Sequence, residues 1–179
     1  MTMRADARQN RDRVLAAARN ELAERGTQAS LNAIARRAGV GPGTLYRHFP
    51  TLQDLLVTIV RDDVDTLCTH GRDLLSDPDP SAALRTWLRA LAAHSTAMRG
   101  LLATELLTSA GTALHDCHQD IQATGAALLT RAEAGRTPPL RISDVLTAVS
   151  AVAWASEQAP PGDDARLDRL LDLVMAGLP

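Results

Sequence analysis

Aromatic residues, cysteine and strand-like patterning are all scarce in this chain. Its 179 residues hold two tryptophans, one tyrosine and one phenylalanine, at Trp87, Trp154, Tyr46 and Phe49. Cysteine occurs twice, at Cys68 and Cys117, with no CxxC pair. Two thiols do not make a disulfide framework, and a reducing cytoplasm is the expected compartment. Lysine is absent, so all nineteen basic residues are arginine. No run of ~18 apolar residues occurs, which excludes a membrane-spanning helix. The opening MTMRADARQNRDR carries arginines with no apolar stretch behind them, and is not expected to act as a signal peptide. GxSxG, a P-loop, GxGxxG after a strand and HExxH are all missing, so no catalytic arrangement or cofactor is implied. Runs of β-branched residues and strict alternation are nearly absent as well, while alanine and leucine dominate. The chain reads as all-α.

What is present is unevenly distributed. Net charge is −2, but residues 1–50 carry nine arginines against four acids, and residues 51–179 carry ten against seventeen. A basic head of net +5 on an acidic body of net −7 favours one end of the molecule approaching phosphates.

The most informative stretch is SLNAIARRAGVGPGTLYRHF, Ser30 to Phe49. Ser30 is a helix N-cap candidate, its hydroxyl able to accept from a free N–H of the first turn. Leu31, Ile34, Ala35 and Ala38 follow at helical spacing. Gly39 supplies the left-handed residue that closes a helix, and Val40 plugs the corner. Pro42 opens a second, very short helix at the position where its missing N–H costs nothing. Thr44, Tyr46, Arg47 and His48 on that helix can bond phosphates or base edges, while Leu45 and Phe49, four apart, face inward. This is the layout of a helix-turn-helix whose second helix enters a DNA major groove.

These residues carry a resemblance. Ile34-Ala35, Ala38-Gly39-Val40, Gly43-Thr44-Leu45-Tyr46 and His48-Phe49, with the helix start Asp54-Leu55-Leu56, resemble the DNA-binding domain of the TetR/AcrR family of transcriptional regulators. The upstream run Arg11–Gly26 is similar to that family's first helix. The likeness covers roughly residues 8–65. Two positions depart from it: Leu22 or Ala23 stands where the family often has an aromatic, and Leu52 where it often has a lysine. The resemblance implies a three-helix head, here 1–50, and a helical ligand-binding and dimerisation body, here 51–179. It implies a two-fold dimer on a near-palindromic operator in double-stranded DNA, most simply a repressor released by a small, largely apolar effector. Pro42 and Gly43 would approach base edges, Thr44 and Tyr46 phosphate or base, and His48 phosphate. Asn32 matches a position that contacts DNA in parts of the family. Ser30 and Asn32 also open a helix whose free N–H groups favour phosphate. Arg47 either reads a guanine edge or faces solvent.

Beyond the head, Thr51-Leu52-Gln53-Asp54 reads as a capping box starting a helix that runs to about Leu75. Asp77-Pro78-Asp79-Pro80 is the clearest linker. Further helices are expected to Gly100, at about 101–110, over 113–134, over Ile142–Gln158 and over Asp163–Ala176, about nine in all. In the body, Trp87, His94, Met98, Thr104, Glu105 and Trp154 are either core and surface residues or the lining of a mostly apolar ligand pocket. Val145, Val149 and Val152 on the penultimate helix, with Leu167, Leu170, Leu171, Val174 and Leu178 on the last, offer either intrachain packing or a dimer surface. His115 and His118 share a helix face that zinc ligands can use. Cys117 points about 100° from His118, onto an apolar stripe, so the bland reading is a surface pair beside a core thiol. Two alternatives to the effector-controlled regulator follow. One is a metal-responsive regulator acting through His115 and His118. The other is an all-α enzyme or carrier with a vestigial helix-turn-helix.

Overall fold

The computed structural model describes residues 2–102, 111–132, 139–158, 163 and 165–176, with the side chains of 2–8, 27, 97–102 and 111–113 outside the description. The chain runs through α1 (Thr2–Arg25), a 3-10 turn (Gly26–Gln28), α2 (Leu31–Ala38), α3 (Pro42–His48) and α4 (Leu52–Leu74). It continues through α5 (Pro80–Leu102), α6 (Gly111–Ala132), α7 (Ile142–Glu157) and α8 (Arg166–Ala176). No strand occurs among the described residues, and no helix there is long and apolar enough to cross a membrane. Among the described residues eight α-helices stand where about nine are expected. The difference falls at 101–110, where α5 continues to Leu102 and residues 103–110 lie outside the described ones.

Two compact units form. The head unit holds Met1–Asp62 and Arg99–Leu114; the body unit holds Asp63–Met98 and His115–Pro179. The head therefore extends past the expected boundary at residue 50. The reason is packing: Leu55, Leu56 and Ile59 of α4 are buried in one cluster with Leu15 and Ala18 of α1, Ile34 and Ala35 of α2, and Leu45 of α3.

Local chemistry sets the head's helix ends. Gly26 at φ 51° closes α1, and Ser30 Oγ accepts from the Ala33 N–H at 3.2 Å to cap α2. Gly39, at φ 67°, ends α2. The Val40 N–H reaches Ala35 O at 3.0 Å and the Gly39 N–H reaches Arg36 O at 3.3 Å, the paired bonds of a left-handed helix stop. The capping box at α4 is reciprocal: the Asp54 N–H donates to Thr51 Oγ1 at 3.1 Å, and the Thr51 N–H donates to Asp54 Oδ2 at 3.0 Å. Between helices, Arg37 of α2 donates to both carboxylate oxygens of Glu24 on α1, at 2.8 and 2.6 Å. That hydrogen bond holds the Glu24 carboxyl below the ordinary carboxylate range.

In the body unit Trp87 is fully buried and donates its indole N–H to Leu67 O at 3.1 Å. Two helical glycines make room for its ring. A Cβ on Gly71 would stand 2.7 Å from the indole nitrogen, and one on Gly125 would stand 2.9 Å from the six-membered ring. Arg89 pairs with Asp168 at 2.7 Å, and Arg85 with Asp172, which joins α5 to α8. Arg131 donates to the carbonyls of Leu74 and Asp77, closing the end of α4.

Candidate DNA-binding site

The site is built by α2, the turn after it, and α3. Gly41 O receives the Thr44 and Leu45 N–H groups at 2.9 and 3.1 Å, so Pro42 begins α3 with no donor lost. Seven residues make barely two turns. Leu45 holds this short helix in place, with 2% of its surface exposed, while Phe49 packs half-buried against the same cluster. Every other α3 residue is exposed: Pro42, Gly43, Thr44, Tyr46, Arg47 and His48. Tyr46 keeps 44% of its surface open, which makes it one of three large hydrophobic side chains exposed among the described residues. Ser30 and Asn32 are exposed at the start of α2. The eight residues singled out as DNA contacts thus share the helix-turn-helix, each exposed.

Arginines around this site divide into engaged and outward-facing. Arg37 is committed to Glu24. Arg11 and Arg19 of α1 both reach Asp62 of α4, at 3.1 and 3.4 Å. Part of the arginine-rich start of α1 therefore braces the head internally, a role that sequence spacing does not reveal because its partner lies 43 to 51 residues away. These pairs are more than a third exposed, so each contributes little to stability.

Comparison with known proteins places this geometry. Residues 14–59 match the family model for bacterial regulatory proteins of the tetR family, and residues 79–179 match that of the SbtR-like transcriptional regulator C-terminal domain. The chain belongs to the TetR family of transcriptional regulators. A TetR transcriptional regulator from Streptomyces coelicolor is 38% identical, with 94% of this chain and 97% of that one covered and a TM-score of 0.77. A TetR regulatory protein from Mycobacterium vanbaalenii is 31% identical over 98% of both chains, with a TM-score of 0.74. The TetR-like regulator LfrR of Mycobacterium smegmatis, solved in complex with proflavine, shares the fold at 23% identity, covering 97% and 96% of the two chains with a TM-score of 0.69. An HTH-type transcriptional regulator of Staphylococcus aureus is 40% identical over 76 residues, 42% of this chain and 41% of its own length. TetR-family proteins are DNA-binding regulators and not enzymes.

Of the body residues expected as a pocket, the description covers the side chains of Trp87, His94 and Trp154. Trp87 is consumed by the slot between Gly71 and Gly125. His94 on α5 is half-buried, and burial pushes its imidazole pKa down, opposed in part by the Asp63 carboxylate. The Met98 side chain lies outside the description, as do Thr104 and Glu105. Trp154, on α7, is 56% exposed.

Of the set on the α7 and α8 stripes, read either as intrachain packing or as a dimer surface, part packs within the subunit. Val145, Val149 and Leu171 are buried inside this subunit's own apolar cluster, and Val152 and Leu167 pack against it, so the core takes the surface that the valine stripe offered. Leu170 and Val174 are half-buried on α8, and Leu178 lies outside the described residues. The large apolar side chains that stay open on α7 and α8 are Trp154 and Leu173, the latter 70% exposed and not anticipated from the sequence. His115 and His118 are exposed, each with its Nε2 2.9 Å from the glutamine one turn on, Gln119 and Gln122. Cys117 is buried, and no group of three metal-ligating side chains forms among the described residues.

Proposed function

We propose that the protein is a homodimeric repressor. Each head lays α3 in the major groove of a near-palindromic operator, and a small, largely apolar effector in the body releases it. The observation that carries this reading is the division of α3: one buried anchor, Leu45, and an otherwise exposed surface that presents a hydroxyl, a phenol, a guanidinium and an imidazole. Pro42 and Gly43 at its tip approach base edges. Thr44, Tyr46 and His48 take phosphate or base, Arg47 a guanine edge, and Ser30 and Asn32 a neighbouring phosphate. Contacts to phosphate fix register, and those to base edges give sequence. The +5 charge of residues 1–50 supplies attraction. The effector is supported by the LfrR neighbour, which was solved with proflavine bound. The dimer face is the strip around Trp154 and Leu173. A cytoplasmic location follows from this role.

The test is selection of duplexes from a random pool by the intact protein, followed by anisotropy titration at rising salt. Enrichment of one near-palindromic sequence, with affinity falling steeply as salt rises, is expected. Equal binding to the enriched duplex and its scrambled version would overturn sequence-specific regulation.

A further inference from the structure

Within the head unit a groove of about 620 Å3 opens along the flank of α3. That volume falls in the range of roughly 300–1,000 Å3 found for small-molecule sites. Val14 of α1, Val40 of the turn, and Leu45 and Phe49 at the end of α3 form its apolar wall. Arg11, Thr44 and His48 are among its polar groups, and no carboxylate lines it among the described residues. An apolar wall with a few convergent polar groups is the usual make-up of a ligand site. The polar groups lean to one sign. Arg11 gives one N–H to Asp62 Oδ1, and a guanidinium carries five. His48 and Thr44 add donors that suit a negatively charged oxygen.

We propose that this groove binds a small amphipathic monocarboxylate. Its apolar body lies on Val14, Val40, Leu45 and Phe49, and its carboxylate sits between Arg11 and His48. Thr44 and His48 belong both to this groove and to the DNA-facing set, so the occupant and the operator compete for them. The groove stands on its own geometry, whereas the competition rests on the DNA-binding reading above. Such an effector acts within one unit, with no conformational change relayed from the body.

The experiment uses octanoate as probe on the full chain carrying 13C-labelled valine methyl groups. Val14 and Val40 methyl signals are expected to shift together along one saturating curve. 1-Octanol, which has the same chain without the charge, should bind about tenfold or more weakly, the loss expected for one charge-assisted hydrogen bond. Arg11→Gln should weaken octanoate by a similar factor and leave octanol unchanged. In anisotropy, octanoate should release the selected duplex over the concentrations that saturate the methyl shifts. Val40→Trp, which fills the groove, should bind the duplex and resist release. If its thermal melt reports a damaged head, Thr58→Met narrows the same groove from α4. Silent Val14 and Val40 methyls, or equal binding of octanol and octanoate, would overturn the site. Saturating shifts with the duplex still bound would overturn the competition. A protein that binds no duplex even without octanoate would overturn the regulator reading, while the methyl titration still decides the groove.

Discussion

Tyr46 and Leu45 are neighbours in sequence with opposite fates, one 44% exposed and the other 2%. Truncating Tyr46 removes surface chemistry and no core. Tyr46→Ala is therefore expected to lose about 1–3 kcal/mol of operator affinity, the worth of one good contact, with helicity and melting unchanged. Unaltered affinity in the anisotropy titration would take Tyr46 out of the interface. A second residue-scale effect concerns acid. The His94 pKa is lowered, first by burial, with Asp63 opposing. The folded chain then holds fewer protons on this ring than the unfolded chain, in a window reaching down from the ordinary value of ~6.5. Stability from the neutral ring is present above that window and lost as pH falls through it. Replacing the ring with an uncharged amide, His94→Gln, should flatten the dependence of the urea midpoint on pH between about 7 and about 5. A wild-type midpoint that does not move in that range would contradict the assignment.

At the scale of elements, the Trp87 slot joins α4, α5 and α6. A methyl group on Gly125 would stand 2.9 Å from the indole and 2.8 Å from Ile142 Cδ1, closer than a Cβ normally comes. Gly125→Ala raises intrinsic helix propensity and yet should destabilise the protein by about 1–3 kcal/mol through overpacking, read from urea unfolding. A gain in stability would mean the slot has slack. This slot also marks where sequence reading stops. Ser30, Gly39 and the Thr51–Asp54 box were legible because each is a bond or a backbone angle set within a few residues. The stripe Leu31, Ile34, Ala35 and Ala38 was legible because one face of α2 is apolar. Helix α7 also has one apolar face, since Val145, Leu146, Val149, Val152 and Ala153 fall within about a third of its circumference, with Trp154 on the opposite side. Periodicity there shows the apolar face but not what covers it, so Val149 stayed open between the subunit's own core and a partner, and the exposure of Trp154 was not foreseen. The groove beside α3 was likewise hidden, because its walls come from residues 10 to 58, gathered only by the fold.

On the scale of the whole molecule, assembly and signalling make separate demands. Trp154 and Leu173 lie on α7 and α8, which pack on each other, and a partner subunit covering them buries a central aromatic. Trp154→Asp should weaken dimerisation by ~30-fold or more, as for a hot-spot residue of ~2 kcal/mol, while leaving the Val149 and Leu171 core intact. Light scattering at micromolar concentration reads this, and a wild-type monomer there would count against the face. The proposed signalling route is α4, whose residues up to Asp62 belong to the head and from Asp63 to the body. A two-fold dimer must set its recognition helices about 34 Å apart, or a multiple, to meet successive major grooves. A body-bound effector that prefers another spacing must lower operator affinity, because the coupling is reciprocal, and a tenfold loss takes only ~1.4 kcal/mol of preference. Two glycines inserted between Asp62 and Asp63 interrupt the helical ladder and let each head turn on its tether. The variant should bind its duplex more weakly, yet ignore an effector that acts through the body. Octanoate in the head groove should still release it, since that site and the DNA face lie in one unit. Anisotropy with each compound, on wild type and insertion variant, separates the two routes. Full release of the insertion variant by a body-bound effector would show that the signal does not pass along α4.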